Sequence, residues 1–262
     1  MLGKLMKYEF MAMGRVFLPL FGALIAISII NSVFGIFGLD TPAGIGIAVS
    51  VLLIIGIAVV TFVLIIQRFW LNLLSSEGYL MMTLPVSTDR IILSKLITAS
   101  VLSVVSSLVV LLSIMLMTIT NISFADVAEG IRYGFGLIPF TSPQKYTLVI
   151  QFLIASVLAM FTNILLLYAC MSLSMISNKH RWLVAIGAYI ALTTAVQIIA
   201  TVLFAVGAAT GMFGMVEKFM MSFPTFGQVQ LIMLIIILFT VILGAVFYLI
   251  TRYMLKNRLN LQ

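Results

Sequence analysis

Charge is what this sequence has least of. Only 8% of its 262 residues are Asp, Glu, Lys or Arg, against about a quarter in a soluble domain, too few to clothe one core in water. The bilayer must be the solvent. Histidine occurs once, at His180 in the polar turn Asn178-Lys179-His180-Arg181. That excludes a histidine-rich metal site and a His-based catalytic pair. The single cysteine, Cys170, lies inside an apolar run, so no internal disulfide can form and the thiol reads as a small packing residue. The only Gly-Lys pair is Gly3-Lys4, followed by Leu5, so the chain lacks the phosphate cradle of a P-loop and should not bind ATP that way.

What is present is apolar length. Six stretches pass the roughly 20 apolar residues needed to cross about 30 Å of hydrocarbon. They are Val16 to Phe37, Ile45 to Gln67, Leu96 to Ile119, Leu148 to Met171, Leu183 to Val206 and Val229 to Ile250, and none carries a formal charge. Between Leu231 and Ile250 there are fifteen Leu, Ile, Val or Phe, which favours insertion by about 4 to 9 kcal/mol as an upper estimate. Lys4, Lys7 and Arg15 ahead of the first stretch resemble the start of a signal peptide, but the apolar stretch that follows runs for 22 residues. A signal core has about 7 to 15, so this is a retained span.

The net charge of +7 is explained by orientation, with attraction to anionic lipid second. With a cytoplasmic N-terminus, the inner segments hold Lys4, Lys7, Arg15, Arg68, Arg90, Lys95, Lys179, Arg181, Arg252, Lys256 and Arg258, and the outer ones only Arg132, Lys145 and Lys218. Eleven against three puts both termini in the cytoplasm of a multi-pass protein of the cell membrane. No Lys/Arg cluster is interleaved with exposed aromatics, so nucleic acid is not an expected partner. Trp70 and Trp182 fall at inner boundaries, where indoles anchor at headgroup level.

The expected fold is all-α: one domain, 1–262, of six transmembrane helices. Leu2, Leu5, Met6, Phe10 and Met13 recur at near-helical spacing, with Lys4, Lys7 and Glu9 elsewhere on the wheel. Residues 1–15 are therefore expected as an amphipathic helix on the inner leaflet, a disordered leader being the alternative. The first outer segment is a turn around Asp40 and Pro42, and the second runs from Thr120 to Tyr146. The third, 207–228, is oddly apolar, with Met212, Phe213, Met215, Val216, Phe219, Met220 and Met221 broken by Gly207, Gly211, Gly214 and Pro224. Short re-entrant helices or an ordinary interfacial helix both fit it.

Ion-coupled transporters usually carry Asp, Glu, Lys, Arg or His inside the membrane. The six spans hold none, so uphill transport would draw its energy from a partner, and an intramembrane enzyme lacks its residues. Polar residues within the spans include Asn31, Ser100, Ser103, Ser106, Ser107, Gln151, Asn163 and Gln197. They serve interhelical hydrogen bonds or line a pathway; Asn31, Ser103, Ser107, Gln151, Asn163 and Gln197 are the candidates for both roles. Gly22/Ala26, Ser103/Ser107 and Ala155/Ala159 would permit close helix approach.

The most informative stretch lies between the second and third spans, Ser76-Glu77-Gly78-Tyr79-Leu80-Met81-Met82-Thr83-Leu84-Pro85-Val86-Ser87-Thr88-Asp89-Arg90-Ile91-Ile92-Leu93-Ser94-Lys95-Leu96. Glu77 and Gly78 open a short apolar-faced helix, Pro85 ends it, and Ser87 can cap a second helix that brings Arg90 and Lys95 to the next span. Such a membrane-tethered elbow suits the transmission of a partner's motion.

This stretch resembles the membrane subunits of the second, export-type class of ATP-binding cassette transporters. These carry Glu-x-Gly or Glu-Gly, an apolar helix, Thr/Leu-Pro-Val-Ser, charged residues, an apolar triplet and Gly/Ser-Lys-Leu. The match is at Glu77, Gly78, Leu80, Leu84, Pro85, Val86, Ser87, Arg90, Ser94, Lys95 and Leu96, with Tyr79 and Met81-Met82 where polar or acidic residues often stand. Six spans, an N-terminal amphipathic helix and a broken apolar segment before the last span extend the likeness over the chain. The resemblance implies a permease subunit paired with a second copy or paralogue, over separate ATPase subunits that hold ATP and Mg, while this chain binds no cofactor. Within segment 77–95, Glu77 to Leu84 would be the coupling helix, and Glu77, Gly78, Tyr79, Leu80, Met81, Leu84, Pro85, Ser87 and Arg90 would dock the ATPase. A membrane scaffold that recruits a cytosolic partner without transport is the other expectation. The substrate is not readable from these residues.

Overall fold

A computed structural model describes residues 2–71, 87–118, 124–137, 142–177, 180–211, 214, 221–222 and 224–257. These residues are almost wholly helical. In chain order come α1 (Leu2–Ile36), α2 (Asp40–Phe69), α3 (Thr88–Thr118), α4 (Phe124–Leu137), α5 (Ser142–Leu173) with a 3-10 turn at Ser174–Ile176, α6 (Arg181–Ala209) and α7 (Thr225–Asn257). Six of them, all but α4, are long and apolar enough to cross a membrane. The shortest of the six, α6, has 29 residues and so reaches about 44 Å, ample for the hydrocarbon layer. Only 6% of its most apolar window is buried, and a face that greasy requires lipid or protein around it.

Helix ends follow local chemistry. Gly38 takes φ +63, and its N–H donates to Gly35 O at 3.1 Å while Leu39 N–H donates to Phe34 O at 3.0 Å. That pair of bonds is a Schellman ending, and its left-handed residue has to tolerate positive φ. Gly211, at φ +66, closes α6 in a related way through Ala208 O. Prolines sit near the starts of α2 and α5, at Pro42 and Pro143, where the missing N–H has no helical partner to lose.

α1 departs most from the expected layout. It is one unbroken helix that runs through Pro19, with no joint near residue 15 between a surface helix and a span. α4 is the other departure, a 14-residue helix inside what the sequence marks only as an outer segment. Phe124, Val127, Ile131 and Phe135 hold its helical period, and Asp126 in the first turn favours its dipole. Gly130, Gly134 and Gly136 lower its propensity and hide that signal.

The chain divides into two compact units. The first comprises Met1–Arg68 and Asp89–Ile138, the second Phe69–Thr88 and Pro139–Gln262. In the first, α1, α2 and α3 close around Met13, Phe17, Leu64 and Leu102, with Phe21 and Val60 packed alongside. The buried residues of α1 are Glu9, Met13, Phe17, Leu24, Ser28 and Asn31, one helical face.

The helices α1, α2 and α3 also meet pairwise through hydroxyl or small residues. Ser28 of α1 meets Ser113 of α3 at 2.7 Å. Ser28 already donates its proton to Leu24 O at 2.8 Å, so Ser113 is the donor between them. Thr61 of α2 likewise donates to Ile57 O at 2.7 Å, leaving Ser106 of α3 to donate across 3.5 Å. Between α1 and α2, Asn31 lies directly over Gly46, where an added Cβ would collide with Asn31 Oδ1. In hydrocarbon, where apolar faces gain nothing by leaving water, small residues and hydroxyls supply much of the specificity of helix pairing.

In the second unit α5 and α7 pack side by side. Thr162 donates to Thr240 O at 3.2 Å, and Gly244 sits beneath the same side chain, with Thr162 Oγ1 3.0 Å from where a Cβ would lie. The buried residues gather towards the C-terminal halves of both helices, from Ile164 to Met171 on α5 and from Phe247 to Leu255 on α7.

Candidate functional site

Of the residues expected to dock a partner, Glu77, Gly78, Tyr79, Leu80, Met81, Leu84 and Pro85 lie outside the described residues. Ser87 is described as an exposed residue just ahead of α3, and Arg90 as an exposed residue in its first turn. The described structure therefore supplies the roots of the segment, where α2 ends and α3 begins.

In the second unit, the root on the α2 side is held by two aromatic stacks. Phe69, fully buried, stacks on Tyr168 of α5 with centroids 4.3 Å apart and planes at 16°. One residue on, Trp70 stacks on Trp182, the second residue of α6, at 4.8 Å and 14°. The sequence suggests two separate headgroup anchors, but the two indoles are partners. Such stacks contribute about 0.5–1.5 kcal/mol beyond buried area. With only two tryptophans in the chain, the pair has an optical signature of its own. Wild-type protein in detergent should show an exciton couplet in its far-ultraviolet circular dichroism, and Trp182→Leu should abolish it; a wild type without the couplet rules the stack out.

In the first unit, the root on the α3 side is ionic. Lys95 Nζ donates to Glu9 Oε1 at 2.7 Å, with the two side chains 3% and 8% exposed. The same nitrogen lies 3.5 Å from Arg68 O, at the outer limit for such a bond. Sequence reading placed Glu9 with Lys4 and Lys7 off the apolar face. The structure puts it on the buried face, one turn before Met13, while Lys7 and Tyr8 are exposed. The signal was its spacing of four from Met13 and eight from Phe17.

The span polar residues are placed within each unit separately. Asn31 is buried on Gly46, and its Oδ1 accepts no hydrogen bond within the described residues. Ser103 and Ser107 each donate to their own helix, to Ala99 O and Ser103 O, both at 2.9 Å. Their neighbours Ser106 and Ser113 make the interhelical contacts instead. Gly22 has nothing within 4 Å of an added Cβ among the described residues of its unit. In the second unit, Gln151 is half-buried with Oε1 unpaired, Asn163 is exposed and donates to Ala159 O at 2.9 Å, and Gln197 is exposed.

Elsewhere, an open groove of about 560 Å³ has Ala125, Ala128, Glu129, Arg132 and Tyr133 of α4 among its lining residues. Among the described residues no three His, Cys, Asp or Glu side chains gather as a metal site would require. Compared with known proteins, the chain matches no family model, no curated protein and no solved structure.

Proposed function

We propose that the chain is a permease subunit of an ATP-binding cassette transporter of the export-type second class. Two such subunits, identical or paralogous, would form a pathway across the cell membrane, and separate ATPase subunits holding ATP and Mg would drive it. The observation that carries this reading is the run from Glu77-Gly78 through Leu84-Pro85-Val86-Ser87 to Ser94-Lys95-Leu96, set between two membrane-length helices. In this reading Glu77 is the polar anchor of a coupling helix, Gly78 allows close approach, and Pro85 fixes the turn towards α3. The chain does no covalent chemistry.

A second support is where ionised groups stand in the bundle. The buried charged side chains among the described residues are Glu9 and Lys95, and they neutralise each other. Neither is offered to a passing ion, so a partner's hydrolysis is the simpler source of work.

The test is a pull-down from native membranes with a tag on the full chain. Nucleotide hydrolysis should co-purify with wild type and fall at least tenfold with Glu77→Arg, because reversing the charge sets a cation where the anchor stood. Hydrolysis that persists with the variant removes the docking assignment. Its absence from wild type favours the non-transporting scaffold.

A further inference from the structure

We infer that Lys95 is a positioning residue, a two-acceptor clasp that fixes the last turn of α2 and the N-terminal helix to the root of α3. The inference goes beyond the proposed function and holds whatever partner the intervening segment meets. Three elements of the first unit meet at one nitrogen. Glu9 comes from the third turn of α1, Arg68 O from the end of α2, and Lys95 from the third turn of α3.

The arrangement has the chemistry such a role needs. An ammonium carries three donors and no acceptor, so one Nζ can serve a carboxylate and a carbonyl together. The carbonyl of Arg68 belongs to the last α-helical turn of α2, the end of a helix where cations are favoured. Burial makes the pairing specific. With Lys95 3% and Glu9 7% exposed, water is a poor substitute for either, and losing one removes the 2.7 Å charge-assisted bond that offsets the other's burial. The N-terminal helix is thereby more than a leaflet anchor, because the unbroken rod α1 carries Glu9 on the same face as the core residues Met13 and Phe17.

A charge swap separates a clasp from an ordinary ion pair. In Glu9→Lys/Lys95→Glu the attraction between α1 and α3 returns, but residue 95 now carries an acceptor and cannot donate to Arg68 O. The experiment uses full-length protein in nanodiscs with Cys170 replaced by alanine. Spin-label pairs at exposed positions report each tie, Met11 with Leu93 for α1–α3 and Gln67 with Leu93 for α2–α3.

Wild type and Lys95→Arg, which keeps both donors, should give single narrow distance distributions for both pairs. Glu9→Lys should broaden the α1–α3 distance into a second, longer population. The swap should restore α1–α3 while leaving α2–α3 broad. Restoration of both distances by the swap, or an unchanged α2–α3 distance in Lys95→Met, overturns the clasp. Should Glu9→Lys fail to insert, Glu9→Gln serves in its place, since an amide oxygen still accepts from Nζ. It should weaken α1–α3 and leave α2–α3 narrow, and broadening of α2–α3 alone contradicts the assignment.

Discussion

Lys95→Met is expected to destabilise the α1–α2–α3 unit more than any other single change to its polar contacts. The substitution preserves length and apolar bulk, so packing is little disturbed. What changes is that Glu9, with its side chain 8% exposed, loses the ammonium at 2.7 Å. Removing one member of a buried ion pair costs about 3–5 kcal/mol, since the other charge stays buried without the bond that offset its desolvation. The midpoint of detergent-induced unfolding in mixed micelles should fall accordingly.

The cause can be isolated in a double-mutant cycle. Glu9→Gln in the Lys95→Met background removes the stranded charge and should recover more than half of the loss, although it deletes a further native group. By contrast, Ser113→Ala removes one hydroxyl from the 2.7 Å contact with Ser28, and membrane hydrogen bonds of that kind average about 0.6 kcal/mol. A Lys95→Met midpoint equal to wild type, or no better in the double variant than in the single, shows that the pair contributes nothing to stability.

The comparison of these two contacts also explains how far the amino-acid sequence could be read. The spans were legible because long charge-free runs admit few interpretations, and all six recur as membrane-length helices. Their ends were not, since an apolar count stops where side chains turn polar while the backbone stays helical into the headgroup region. α3 thus begins at Thr88 and α7 ends at Asn257, eight and seven residues beyond the apolar limits at Leu96 and Ile250.

The inward faces were hardest to read. In water an apolar stripe marks the core, but here Leu108 and Leu111 are 58% and 56% exposed on α3 while Ser106 and Ser113 are buried. Lipid is as apolar as any core, so the inward face is marked by small and hydroxyl residues. Sequence spacing could name Ser103 and Ser107 or Ser106 and Ser113 with equal right, because all four sit on one helix a few residues apart. Only the partners decide, and those are Ser28 and Thr61 on other helices. Glu9 is hard to place for the same reason: an acid close to Lys4 and Lys7 reads as part of the solvated side of α1, although its spacing from Met13 and Phe17 matches the buried one.

Gly244→Leu is the largest effect expected in the second unit, and it follows from a contact that no sequence pattern advertises. In the helix pair α5–α7, Gly244 faces Thr162, whose Oγ1 would stand 3.0 Å from an added Cβ. Thr162 has little room to yield. Its branched Cβ restricts χ1, and its hydroxyl is already committed to Thr240 O at 3.2 Å. A leucine there must turn Thr162 out of its rotamer or wedge the helices apart. Overpacking of this kind costs about 1–3 kcal/mol, with the hydrogen bond lost in addition. Gly187→Leu is the matched control, because that glycine has nothing within 4 Å of a new Cβ and its substitution should leave the unfolding midpoint close to wild type. Gly244→Ala should show a smaller loss that Thr162→Ala relieves, since removing the hydroxyl clears the space the new methyl needs. Should Gly244→Leu unfold at the same midpoint as Gly187→Leu, α5 and α7 are not in contact at this crossing.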